Sequence, residues 1–245
     1  MNDRVAHTPD PTAAAEGAVS GLSCVQRLER RAQATPLRVR RIQPGEPLGD
    51  VQRLRREVYF QEQGRDHPPR SRRISDGLDA SGTVVVVEEG RQAVATLRVH
   101  DFDSPAVQVE YGSLFQIDRF AQTWPLERVA VCTRFAVQAD QRVKSVVDAL
   151  VQETWRHAQQ QRVQFGLIAC EPFLHSVFEH YGFREYLPPA ILAGGDAVLR
   201  MVLVVDDESL LQECASPLLP LVRNAMAGRS ARHWLDRTFP AKISL

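Results

Sequence analysis

The sequence predicts an α/β (α+β) fold in which helices cover a mixed sheet. Three observations carry this. Two β-branched runs, Thr83 to Glu88 (TVVVVE) and Ala93 to His100 (AVATLRVH), flank Glu89-Gly90, a hairpin signal. An amphipathic segment, Lys144 to Gln160, separates two further apolar runs, Val129 to Val137 (VAVCTRFAV) and Val163 to Cys170. A last apolar run, Ala197 to Val205 (AVLRMVLVV), comes after a second helical pattern.

The elements are taken in chain order. Residues 1 to 35, rich in Ala, Pro, Thr and Arg, are expected to be mostly disordered, with a short basic helix at Leu22 to Ala34. Leu37 to Ile42 reads as a strand. After Pro47, the recurrence of Leu48, Val51, Leu54 and Val58 predicts a helix ending near Gly64. HPPRSRR and SDGLDASG then form a long polar loop of the kind that carries function. Within Lys144 to Gln160, one face holds Val147, Leu150, Val151, Thr154 and Trp155. Val163 to Cys170 suits a strand covered on both faces. Glu171 to Tyr181 is a helix with Pro172 in its first turn and Gly182 as its stop. The expected order is β-α-β-β-β-α-β-α-β, with one domain over 36–205 and a helical extension over 206–245 broken by Pro217 and Pro220.

The chain has 245 residues, 44% hydrophobic and 24% charged, enough for a substantial core. Its formal net charge is zero, so no global field recruits nucleic acid or an anionic membrane. Cys24, Cys132, Cys170 and Cys214 form neither a C-x-x-C pair nor a metal framework. They read as small buried hydrophobes in a reducing, cytoplasmic compartment. The histidines show no paired metal spacing, so no metal is expected. The start lacks the h-region of a signal peptide, and no apolar run reaches the roughly 18 residues of a membrane span.

Four segments, in order, resemble the acyl-homoserine-lactone synthases of the GNAT superfamily and the related N-acyl amino acid synthases. They are L-R-R-E-V-Y-F-Q-E-Q-G (Leu54 to Gly64), D-G-L-D (Asp76 to Asp79), A-T-L-R (Ala95 to Arg98) and V-C-T-R-F-A-V (Val131 to Val137). H-Y-G-F-R (His180 to Arg184) resembles a general GNAT ending. The resemblance implies a GNAT fold whose parallel strands, Val129 to Val137 and Val163 to Cys170, splay apart to admit a pantetheine arm. That arm can complete unpaired strand edges through its own amides.

What the resemblance implies about residues is specific. Arg55, Arg98 and Arg134 match the family's arginines, and Asp76 and Asp79 its acidic pair. A carboxylate can hold an acceptor's ammonium and later relieve it of a proton, while an arginine fork holds a carboxylate or orders a loop. The blander reading, that the aspartates cap a turn and pair with Arg55 or Arg98, is compatible with this. Tyr59, Cys132, Thr133 and Phe135 join Arg55 around the acceptor. Val131 stands where the family's E-x-S-R-F strand has glutamate; it neither binds an ammonium nor relays a proton, which counts against lactone formation. Glu127, or a water held by strand carbonyls, is the candidate substitute base. Phe178 stands where many GNAT enzymes carry a tyrosine acid, with Tyr181 nearby.

At the donor end the expected residues are Ala136, Val137, Arg142, Lys144, Cys170, Phe178 and Tyr181. The stretch Gln138 to Ser145 (QADQRVKS) has no glycine to cradle a diphosphate. Arg142 and Lys144 instead suit the single phosphate of a carrier protein's phosphopantetheine. The basic clusters Arg53 to Arg56, Arg70 to Arg73, Arg156 and Arg162 suit an acidic carrier or, equally, a solvated surface. The expected function is an N-acyltransferase moving a fatty acyl group from an acyl-carrier-protein or CoA thioester to the amine of an amino acid or peptide, with no tightly bound cofactor. An autoinducer synthase and a non-catalytic acyl-thioester or partner-binding module are the alternatives.

Overall fold

Alternating and helical hydrophobic patterns build one seven-stranded sheet with its covering helices. A computed structural model describes residues 36–61, 75–192 and 195–240. The N-terminal segment, its basic helix, Cys24, the HPPRSRR loop, the Arg70 to Arg73 cluster and the expected helix end near Gly64 lie outside these residues. The chain divides into two units, Met1–Pro36 and Leu37–Leu245, and the whole sheet belongs to the second.

Strand β1 (Leu37–Ile42) is followed by helix α1 (Gly49–Arg56), which runs into a π-helical turn, Glu57–Gln61. β2 (Thr83–Glu89) and β3 (Gln92–Asp101) form the hairpin. Its loop is Gly90-Arg91, one residue later than expected, because Gly90 takes φ +64 and the ladder extends to Glu89 opposite Gln92. Two helices that no sequence signal predicts come next, α2 (Pro105–Phe115) and α3 (Ile117–Ala121). β4 (Val129–Val137) and α4 (Lys144–Gln160) fall on their expected bounds. β5 (Phe165–Cys170) starts two residues late, and a short turn at Pro172 leads to α5 (His175–His180), stopped at Gly182 with φ +92. A further unexpected strand, β6 (Arg184–Ile191), pairs with β7 (Ala197–Val204); α6 (Glu208–Glu213) and α7 (Ala225–Thr238) come after it.

The sheet order is β1-β2-β3-β4-β5-β7-β6, antiparallel except for the β4–β5 pair. Alternation sends Ala95, Leu97, Val99 and Cys132 to one face, where α4 and α5 supply Leu150, Trp155 and Phe178 and the tail supplies Leu211 and Leu218. On that face of α4, Val146 is buried as well, a position the expected stripe omitted. The opposite face carries two separate apolar patches. One joins α1 to β2 through Val51, Leu54, Val84 and Val86. The other joins α2, α3 and α7 to β5 and β7 through Phe115, Phe120, Phe165 and Leu235. Between them lies polar ground.

β6 closes one edge of the sheet. It contains Pro188 and Pro189, and its pairing with β7 is interrupted at Glu185/Leu187 and Leu187/Ala190. The Arg200 guanidinium of β7 donates to the Pro188 carbonyl at 2.6 and 2.8 Å and to the Leu114 carbonyl at 2.9 Å, tying this edge to α2.

Candidate active site at a forked strand pair

β4 and β5 pair in parallel for four residues only, from Val129↔Phe165 to Cys132↔Ile168. Beyond that point β5 continues with β7 to Cys170↔Leu199, while β4 continues with β3 to Val137↔Ala95. The cause is a bulge. Thr96 pairs with Ala136 and Arg98 with Thr133, so Leu97 faces two residues, Arg134 and Phe135. Arg134 takes φ +60, an uncommon conformation for a residue with a Cβ. The bulge keeps two consecutive side chains, Thr133 and Arg134, on one face and sends Phe135 to the other. The splay implied by the resemblance is therefore present, and its hinge is this bulge.

On one side of the fork Asp76 caps a single helical turn, Gly77–Ala80, accepting from the Leu78 amide at 3.0 Å. Asp79 completes the capping box by accepting from the Asp76 amide. Both carboxylates then turn to arginine. Arg55 donates to both oxygens of Asp79 at 2.9 and 3.0 Å. Arg98 reaches Asp79 at 2.9 Å, the second Asp76 oxygen at 3.2 Å and the Thr133 hydroxyl at 3.0 Å. Arg134 also bonds Asp76. Arg55 and Arg98 are fully buried and Arg134 is 5% exposed. The turn-capping reading and the site reading thus describe one cluster.

Burial alone would raise both carboxyls. Hydrogen bonds and charge from Arg98 and Arg134 override it at Asp76, and those from Arg55 and Arg98 do so at Asp79, holding both below the ordinary carboxylate range. Such carboxylates are poor proton acceptors. In this arrangement they hold the three arginines in place.

Two residues near this cluster had no sequence signal. His100, two residues along β3 from Arg98 and 5% exposed, is held neutral: burial first, then Arg98, lowers its imidazole to about 4. Tyr111 comes from α2, and its electrostatic neighbours are Arg98, Arg134 and Asp76; burial raises its phenol while the two arginines oppose the rise. Both belong to the site only through strand register and helix docking.

On the other side of the fork is an apolar cavity of about 40 Å3. Cys132, Phe135, Trp155, Ile168, Phe178 and Phe183 are among its lining residues. The Thr154 hydroxyl in its wall donates to the Leu150 carbonyl of its own helix. Phe135 and Phe178 meet edge to face at 5.3 Å. Cys132 and Phe135, expected beside the acceptor, lie on this side instead, because alternation and the bulge face them toward α4.

Other expected residues are placed differently. The Tyr59 hydroxyl donates to the Phe135 carbonyl at 3.2 Å, so it holds the bulge. Glu127 is exposed, in the turn before β4. Its electrostatic neighbour is Asp101, and it makes no contact with the cluster among the described residues. The Cys170 thiol contacts Met201 sulfur at 3.6 Å and is raised by burial to about 11; the Cys132 thiol is raised by burial to about 12. Both are packing groups. Tyr181 donates to Asp148 at 2.7 Å, and burial with that bond raises its phenol. Lys144 pairs with the same Asp148 at 2.9 Å while remaining 64% exposed, and Arg142 is exposed beside it at the start of α4. Ala136 packs under α1 and Val137 under α4, so they contribute backbone to the fork.

Known proteins share this architecture. The family model described as N-acyl amino acid synthase FeeM matches residues 50–201. Among curated proteins, no sequence match is found. The solved structure of FeeM, an N-acyl amino acid synthase from uncultured soil microbes, is similar with a TM-score of 0.59 at 13% identity, covering 77% of this chain and 99% of that one. BjaI, a CoA-dependent acyl-homoserine lactone synthase solved with SAM and isopentyl-CoA, gives 0.57 at 16% identity over 81% of this chain and 100% of its own. An acyl-CoA N-acyltransferase from Pseudomonas aeruginosa gives 0.51 at 16% identity, over 69% and 100%. At these identities the likeness establishes the fold, a GNAT-type acyltransferase fold.

Proposed function

The chain belongs to the N-acyl amino acid synthase FeeM family, and from that premise we propose that it transfers a fatty acyl group from a carrier-protein or CoA thioester to the amine of an amino acid or peptide. The observation that carries this reading is the fork. One strand, β4, presents an apolar cavity on one side and the Asp76–Asp79–Arg55–Arg98–Arg134 cluster on the other, with an unpaired interval between β4 and β5. A pantetheine arm entering that interval completes ladder edges with its amides, and its acyl chain extends among apolar side chains. The acceptor then approaches from the cluster side, where an arginine fork matches a carboxylate.

The amine attacks the thioester carbonyl directly. The two buried thiols, held protonated, do not support a covalent acyl-enzyme. Arg142 and Lys144, exposed at the start of α4, favour a carrier's single phosphate as the donor's polar end. Val131, 1% exposed, offers no charge for a cationic acceptor and disfavours the lactone-forming alternative.

Mass spectrometry of reactions offering decanoyl-carrier protein or decanoyl-CoA with pooled amino acids tests the proposal. The expected product is an N-acyl amino acid, and the donor consumed identifies the carrier. A folded protein that binds the thioester yet acylates no amine would overturn it.

A further inference from the structure

The acceptor side of the fork needs a group that takes a proton when an amine becomes an amide. Asp76 and Asp79 are saturated by arginines. Val131 is apolar, and Glu127 lies outside the cluster. His100 remains. It pairs in register with Val131, one residue before the β4–β5 ladder ends at Cys132. It shares a face of β3 with Arg98 and is 5% exposed, and its Nε2 has no hydrogen-bond partner among the described residues. Buried imidazole nitrogens are ordinarily satisfied, so an unpartnered one two residues from Arg98 and across the ladder from Val131 calls for an explanation.

Gly82 strengthens the case. It lies just past the Asp76–Ala80 turn, and a Cβ there would fall 2.5 Å from His100 Nε2, 2.6 Å from Cε1 and 2.9 Å from Arg98 Cγ. The backbone after the acidic turn is thus fitted against the ring. The charged groups facing His100 are Arg98 from its own strand and Asp76 and Asp79 from the turn; across the ladder β4 places Val131 opposite it. Arg98 and burial keep the imidazole neutral, with a lone pair available.

Resting on the transferase reading, we propose that His100 is the proton acceptor for the attacking amine. The amine nitrogen forms a bond to the thioester carbon, and the carbonyl π electrons move to oxygen. As the carbonyl re-forms, the C–S bond breaks and the thiolate departs. The proton lost by nitrogen passes to the His100 ring and from there to the thiolate, so amide and free thiol leave and the imidazole returns neutral.

The test measures thiol release from decanoyl-CoA and from decanoyl-carrier protein with pooled amino acids, for wild type, His100→Gln and His100→Ala. The expected result is a loss of about a hundredfold or more in kcat for both variants, with donor KM little changed. Added imidazoles should restore His100→Ala with rates that rise with their basicity. Rescue independent of basicity would reduce His100 to a packing residue and overturn the proposal. So would variants within about threefold of wild type while wild type is active, which leaves the transferase reading intact. A wild type inactive with every amine and both donors sinks both. In case neither variant folds, 15N-imidazole NMR of the wild type reads the same site: pooled amino acids should shift the His100 ring nitrogens, and unmoved signals would refute the assignment.

Discussion

Toward α4, strand β4 contributes Cys132, Phe135 and Val137 to an apolar layer that encloses a cavity. Toward α1 and α2, the same strand contributes Thr133 and Arg134 to a buried set of ion pairs. The two sides differ in how much change they tolerate. Apolar atoms make no directional demands, so a void or an altered contour costs only contacts. Buried charges must each be matched in position, and losing one partner leaves the other exposed to the full desolvation penalty. Under the proposed transfer, variation in the acyl group would fall on the cavity side, while the cluster side holds a fixed geometry.

The largest expected effect would break this comparison if it failed. Asp79→Ala strands Arg55 and part of Arg98, and should cost about 3–5 kcal/mol, as much as emptying the apolar side. Trp155→Ala, 2% exposed in the native fold, should cost a similar 3–5 kcal/mol or so. Urea unfolding of both variants decides it; an Asp79→Ala loss below about 1 kcal/mol would mean the cluster is far wetter than its burial indicates.

A second test sharpens the comparison. Cys132→Phe fills the cavity, and overpacking should cost about 1–3 kcal/mol. Transfer from decanoyl donors should fall more than tenfold, roughly as for a pocket short of one or two methylenes, while short acyl donors are spared. Competition between decanoyl and butyryl thioesters measures the ratio. Equal losses for both would place the acyl chain elsewhere.

Smaller effects probe the margins. Tyr59→Phe removes the hydrogen bond to the Phe135 carbonyl and should cost about 1 kcal/mol, read as a fall in the thermal midpoint. Charge contributes through pH. His100 has its folded value, about 4, below the ordinary 6.5, so the unfolded chain binds the extra proton between them; stability therefore rises from pH 4 to 6.5. Asp101 acts in the opposite sense. Burial, then Asp103 and Glu127, raises it from 3.8 to about 6, so ionisation erodes stability over that interval. Asp101→Asn should stabilise the protein at pH 7 by about 1 kcal/mol after solvent screening and should steepen the rise from pH 4 to 6.5. Chemical denaturation across that range separates the two groups. Last, Lys144→Ala breaks an exposed pair and should change stability by less than about 0.5 kcal/mol.

The sequence conveyed the fold where side-chain period matches burial. β4 and α4 fall on their predicted bounds because β4 is a nearly unbroken apolar run and the apolar residues of α4 recur at three to four. It failed at α2, where Val107 and Phe115 are buried but Val109 is 88% exposed, which blurs any stripe. It failed at β6, because Pro188 and Pro189 argue against a strand; pairing with β7 and the Arg200 bonds to Pro188 impose one. The site divides along the same line. Arg55, Asp76, Asp79, Arg98 and Arg134 were legible from motif order. His100 was not, since its place beside Val131 is set by the register of two strands 31 positions apart, and Tyr111 depended on a helix that left no pattern.

The edge strand β6 bears on how this protein behaves in company. A sheet margin with regularly spaced amides and carbonyls is a template on which another chain can crystallise its own strand, and stacked repeats of that event become fibres. Pro188 and Pro189 carry no amide hydrogen, and the two interruptions against β7 bend the margin out of register. An arriving strand would find an outward donor missing and the spacing uneven, so propagation stalls at its first step. At high concentration this margin should remain inert.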